Sequence, residues 1–192
     1  MDDIPVIKDY QLAVYFEELS ADSLYPSAGS SAAMTAAHAA ALFAMVCRVN
    51  LRKNKETSSK GEQGNENRKI FWKETLHKAN LLLERSLSLA QEDGFAIKDF
   101  VESNPRGPEK ATDIPLEIAR CAEEIIALIT DALPKSYAPV QADAECARSL
   151  AEGSKKAALT VAHHNLPLLS KEQQRNYVNQ ITALEQNSLE TR

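Results

Sequence analysis

Between Ala32 and Ala44 the chain carries eight alanines, at 32, 33, 36, 37, 39, 40, 41 and 44. No other stretch narrows the possible folds as much. Alanine has the highest intrinsic helix propensity but contributes very little apolar area. A helix this bare gains stability only where other backbones approach it closely on several sides, so it reads as the central helix of a helical bundle. The helix is predicted over about Gly29 to Arg52, roughly 35 Å long at 1.5 Å per residue. Its entry, Pro26, Ser27, Ala28, Gly29, Ser30 and Ser31, offers small side chains and free backbone N–H groups at a helix N-terminus. Two readings follow: an ordinary N-cap, or a seat for an anionic or polar ligand.

The rest of the chain is built around that helix. Asp9 to Leu19 spaces Leu12, Tyr15, Phe16 and Leu19 at helical intervals, which predicts a short first helix. Lys53 to Arg68 has no apolar residue and reads as a mobile surface loop. From Lys69 to about Glu102 a broad apolar face predicts a long helix, interrupted at Gly94. Pro105, Gly107 and Pro108 break the pattern within Ser103 to Lys110. Asp113 before Ile114 and Pro115 then reads as a cap with proline in the first turn of the next helix, which continues to Ala132. Asp143 to about Asn165 forms a second small-residue helix, suited to packing against the first, with Gly153 allowing close approach. Ser170 and Gln173 make a capping-box pattern ahead of a last helix that frays after Gln186. With no strand-period run, the chain is expected to be one all-α domain over 1–192. Its architecture is a bundle of about six helices with two alanine-rich central ones, forming a homodimer.

Charge and cysteines exclude several classes of function. A formal net charge of −5 with scattered basic residues leaves no footprint for nucleic acid. Cys47, Cys121 and Cys146 stand singly in apolar helical patterns and read as buried, reduced thiols. The start Met1-Asp2-Asp3-Ile4-Pro5 lacks the character of a signal peptide, and no uninterrupted apolar run is read as membrane-spanning. A cytoplasmic protein without membrane contact is the expectation. His38 has two readings, a general base in a cleft or a hydrogen-bonded core residue. His163 and His164 are adjacent and point to different helix faces, and His77 reads as surface, so none is assigned to a metal.

Four segments, taken in order, resemble the cyclodeaminase/cyclohydrolase family, which includes the C-terminal domain of formiminotransferase-cyclodeaminase and the bacterial methenyltetrahydrofolate cyclohydrolases. Pro26-Ser27-Ala28-Gly29-Ser30, followed by Met45-Val46, is similar to the family's Pro-Gly-Gly-Gly-Ser turn and its alanine-rich helix ending in Met-Val. Glu92-Asp93 with Ala96 resembles its acidic segment, and Ala111 to Leu116 its Ala-Thr-x-x-Pro-Leu. Ala142-Asp143 with Asn165-Leu166 resembles its Ser-Asp and Asn-Leu. The chain departs from the pattern where Ser27 and Ala28 replace two turn glycines, and in the short segment from Ser103 to Lys110.

The resemblance implies an all-helical homodimer that binds a tetrahydrofolate derivative and needs no metal and no cofactor beyond that substrate. It implies either hydrolysis of 5,10-methenyltetrahydrofolate to the 10-formyl form or deamination of 5-formiminotetrahydrofolate. For a chain expected to carry no transferase domain the first is favoured. Both reactions pass through a cationic one-carbon centre, so a nearby carboxylate can stabilise charge and move a proton. Asp93 and Asp143 are the candidate carboxylates, with His38 a further candidate catalytic residue. For Asp143 an N-cap is the competing reading. The substrate-binding candidates are Pro26, Ser27, Ala28, Gly29, Ser30, Ser31 and Asn165. The alternative is a family member that has lost catalysis and serves as a small-ligand-binding or protein-interaction helical dimer.

Overall fold

The structure, a computed structural model, describes residues 6–7, 11–57 and 62–190. Among these residues there are six α-helices: α1 (Leu12–Ser20), α2 (Ala28–Thr57), α3 (Glu62–Val101), α4 (Gly107–Ala132), α5 (Gln141–Asn165) and α6 (Lys171–Glu190). No strand occurs among the described residues, as the patterning predicted.

Helix α2 is the central helix. Every alanine of its run except Ala41 is buried, and Phe43, Val46 and Cys47 continue the buried face. Helices α3 and α5 both run antiparallel to it. On the α3 side Ser30 meets Asp93 and Arg48 meets Asn80. On the α5 side the Ser154 hydroxyl donates to the Ala32 carbonyl at 2.7 Å. Helix α4 lies across the core from α2 and supplies its bulk, with Leu116, Ile118, Ile125 and Ile129 fully buried in one cluster with Trp72 and Leu89 of α3. Small residues on α2 and α5 thus face large ones on α3 and α4. That pairing fills the space that alanines leave open. At the edge, α6 is fastened by Ile181 in the core and by the Tyr177 hydroxyl, which donates to Asp113 Oδ1 at 2.6 Å. The Ser170 and Gln173 capping box at its start is formed in both directions, at 3.0 and 3.3 Å.

Several expected boundaries move. The segment 53–68 is not a loop throughout, because α2 runs on to Thr57 and α3 starts at Glu62; residues 58–61 lie outside those described. Residues without apolar content can extend helices that are already nucleated in a core. Gly94 does not interrupt α3. The break after α3 is confined to a tight turn in which Ser103 takes φ 57°, and α4 restarts at Gly107 with Pro108 in its first turn. Pro115 therefore sits inside α4 rather than at its start. On α1 only Tyr15 is buried, while Leu12 and Phe16 are 63% and 54% exposed, and Asp9 and Tyr10 fall outside the described residues.

Cysteine and hydropathy expectations also change. Cys47 and Cys121 are buried, and burial pushes the Cys47 thiol up to about 12, but Cys146 is exposed on the outward face of α5. Ala28–Lys53 is long and apolar enough to cross a membrane by length and composition, contrary to the sequence expectation. Alanine raises the hydropathy average while leaving the helix thin, and half of that stretch is buried inside the bundle as its core helix.

Candidate functional site

The first turn of α2 docks against α3 through a single carboxylate. Asp93 is 5% exposed, and its Oδ2 accepts the backbone N–H of Ser30 at 2.8 Å and the Ser27 hydroxyl at 3.1 Å. Free N–H groups and the helix dipole make this position attractive to an anion, and the chain fills it with its own side chain. The turn itself is closely knit. The Ser27 carbonyl accepts the Ser31 N–H and the hydroxyls of Ser30 and Ser31, and the Ser27 N–H donates to Ser30 Oγ at 2.7 Å.

Two glycines make the docking possible. A Cβ on Gly29 would lie 2.0 Å from Asp93 Oδ1, and one on Gly94 would lie 2.7 Å from the ring of Tyr25. Tyr25, joined to the buried Pro26 by a cis peptide bond, lays its ring on Gly94 and donates its hydroxyl to the Ala90 carbonyl at 3.0 Å. The retained turn glycine is thus the one whose side a carboxylate oxygen occupies, whereas Ala28 points to solvent. Burial raises the pKa of Asp93 above the usual carboxylate value, and the bonds from Ser30 and Ser27 oppose that rise. A carboxyl raised in this way exchanges its proton at a higher pH than a free carboxylate does.

The other predicted residues stand apart from this cluster. Asp143 lies in the first turn of α5, where Val140 holds the cap position, so it is not the N-cap. It takes no hydrogen bond among the described residues. It is three turns before Ser154, about 16 Å along α5, which places it toward the middle of α2 and away from Asp93. His38 is exposed on the outward face of α2, so it is not a core residue.

Asn165 has structural work: its Nδ2 donates to the Ala111 carbonyl at 2.6 Å. That carbonyl lies four residues before Pro115, whose missing N–H would otherwise have satisfied it. The Ala111–Leu116 and Asn165–Leu166 segments are therefore two halves of one device, a proline inside a helix and the amide that repairs it.

Two cavities lie elsewhere. One of about 660 Å³ opens between α4, α5 and α6 beside the buried Lys155, whose Nζ pairs with Glu123. Another of about 460 Å³ sits by Phe71 and Lys135. Neither is lined by a predicted site residue. Among the described residues no three His, Cys, Asp or Glu side chains gather as metal ligands. Tyr25, Gly94 and the bond from Ser27 to Asp93 were missed from the sequence. The available signals were Tyr25 next to Pro26 and Gly94 next to Asp93.

Fold and site together define a class: an all-helical bundle in which a buried carboxylate caps an alanine-rich central helix through a small-residue turn. The chain belongs to the formiminotransferase-cyclodeaminase family, whose sequence profile matches residues 11–183. Its fold is that of the crystal structure of formiminotetrahydrofolate cyclodeaminase from Thermotoga maritima. The TM-score is 0.84 at 14% sequence identity, over 96% of this chain and 93% of that one. No match was found among curated proteins.

Proposed function

We propose that the protein is a folate one-carbon enzyme with Asp93 as its charge-bearing group. In this reading it hydrolyses 5,10-methenyltetrahydrofolate to 10-formyltetrahydrofolate or deaminates 5-formiminotetrahydrofolate. The observation that carries the reading is the Asp93 carboxylate, buried at the N-terminus of α2 with a raised pKa. Membership of the family supports the substrate class.

In the hydrolytic reaction water adds to the carbon held between two folate nitrogens. A carboxylate nearby stabilises that cation and takes the proton which water loses as the new C–O bond forms; the adduct then collapses to the formyl C=O as the bond from carbon to N5 breaks, N5 keeping the electron pair and taking the proton that the hydroxyl gives up. In deamination a folate nitrogen closes on the formimino carbon and ammonia departs; the same carboxylate supports the amidinium-like charge and passes a proton to the leaving nitrogen. Asp143 and His38 have no part in this reading, and Asn165 acts through the fold. The enzyme is taken to work as a homodimer, which sedimentation equilibrium tests.

The replaced glycines at Ser27 and Ala28 favour the second reading, a family member that binds without turning over. Purified protein mixed with 5,10-methenyltetrahydrofolate, and separately with the formimino substrate, decides between them. Acceleration of either reaction over the uncatalysed rate supports the enzyme; binding without acceleration supports the alternative.

A further inference from the structure

The two oxygens of Asp93 are treated differently. Oδ2 receives both donors, the Ser30 N–H at 2.8 Å and the Ser27 hydroxyl at 3.1 Å. Oδ1 receives none among the described residues and lies over Gly29, in the space a Cβ would fill. The buried side-chain nitrogens and oxygens left without a partner are Trp72 Nε1, Gln91 Nε2 and Arg148 Nε. Among the described residues Asp93 Oδ1 is not one of them, so this oxygen is not sealed from solvent.

We propose that Ser27 is a positioning residue: with the Ser30 N–H it pins Oδ2 to the end of α2, leaving Oδ1 as the oxygen that meets the ligand and exchanges the proton. This rests on the folate-enzyme reading for what Oδ1 meets, but the pinning itself rests on this chain's own hydrogen bonds. Ser27 also stands where the resemblance places a glycine, which has no hydroxyl to give. The division of labour is chemically sensible. A carboxylate with one oxygen fixed has its second lone-pair set aimed in one direction, and no rotation about χ2 has to be stopped when the ligand arrives.

The groups around Asp93 allow its titration to be followed cleanly. From the first turn of α2 and the residue before it, Asp93 faces Gly29, Ser30 and Ser27, none of which titrates; the Tyr25 ring lies on the adjacent Gly94 and its hydroxyl donates to the Ala90 carbonyl. On α3 itself Glu92 is paired with Arg85 at 2.5 Å. Burial raises the carboxyl and the two hydrogen bonds lower it. Removing one of them must move it further up.

The test is the Asp93 carboxyl titration, read by carbon-detected NMR on the full chain in the wild type, S27A and S27T. The pH–activity profile is measured alongside, and circular dichroism melting checks the fold. We expect S27A to raise the Asp93 pKa by about one unit and to carry the acid limb of the activity profile with it. S27T, which returns a hydroxyl, is expected to restore both. A titration unmoved in S27A, with the fold intact, overturns the proposal whatever the activity. A titration that moves in S27A and returns in S27T supports the pinning. If the wild type turns over neither folate substrate, that result overturns the function, and the titration still decides the pinning.

Discussion

The two ends of α2 are both held by buried polar side chains, but of different kinds. At the N-terminal end a carboxylate from α3 docks on a serine-rich turn, and burial raises its pKa. Toward the C-terminal end Asn50, 1% exposed, donates to the Val46 carbonyl at 3.0 Å and Ser136 Oγ at 3.1 Å and accepts the Tyr137 N–H at 2.8 Å. The amide is neutral, and two of its three partners, Ser136 and Tyr137, lie in the turn between α4 and α5, which it fixes. It gains from burial what any satisfied hydrogen-bond network gains. The carboxylate instead keeps one oxygen without a partner among the described residues, which a purely structural cap would not need. Charge and an unspent acceptor therefore separate the chemical end of α2 from the structural one.

Substitutions that break this contrast are ordered by expected effect. Asp93→Asn keeps the shape and removes the charge, so kcat/KM should fall by about 10²–10⁴ while the melting temperature barely changes; steady-state kinetics with calorimetry measures both. Gly29→Ala sets a methyl group 2.0 Å from Asp93 Oδ1. It should cost about 1–3 kcal/mol of stability together with most of the turnover, measured by urea unfolding and the same kinetic assay. Asn50→Ala should cost a similar amount, about 2–3 kcal/mol, yet leave kcat untouched in the folded fraction. A large kcat loss there would erase the distinction between the two ends.

Smaller effects sharpen the picture. Asn165→Ala leaves the Ala111 carbonyl unpaired beside Pro115 and should cost about 1 kcal/mol, with KM for the folate unchanged. The pH dependence separates activity from stability. Because the Asp93 pKa is raised in the folded state, its ionised form weakens the fold above that pKa, and the penalty disappears as pH falls through it toward the unfolded value. Activity, which needs the ionised form, is lost over the same interval. Acidification should therefore inactivate the enzyme while the Asp93 contribution to stability rises, which parallel activity and melting profiles will show.

Much of this was legible in the sequence because α2 is extreme. Eight alanines in thirteen positions admit few other solutions, and the apolar stripes of α3, α4 and α5 supply the bulk they lack. Asp93 was legible as an acid at helical spacing from Leu89 and Ala90 on the apolar face of α3, and the resemblance drew attention to it. Its role as a cap on another helix was not, since Ser30 and Asp93 are 63 residues apart and no local pattern records such a contact. Asp143 and His38 failed to join the site for the same reason: a residue's place along its helix can be read, but the level at which neighbouring helices meet cannot. Pro115 misled because proline usually marks a first turn; the amide that lets it stay inside α4 comes from Asn165, a full helix away. Residues 53–57 and 62–68 looked like loop because composition alone underrates helices continued outward from a packed core.

The most direct test is the loss of 5,10-methenyltetrahydrofolate absorbance with wild-type protein and with Asp93→Asn, each against the uncatalysed rate, with the formimino substrate run in parallel. With Asp93 as the charge-bearing group, the wild type accelerates one reaction, and a variant that melts at nearly the same temperature does so at least a hundredfold less. Equal turnover by the two proteins would contradict the assignment of Asp93.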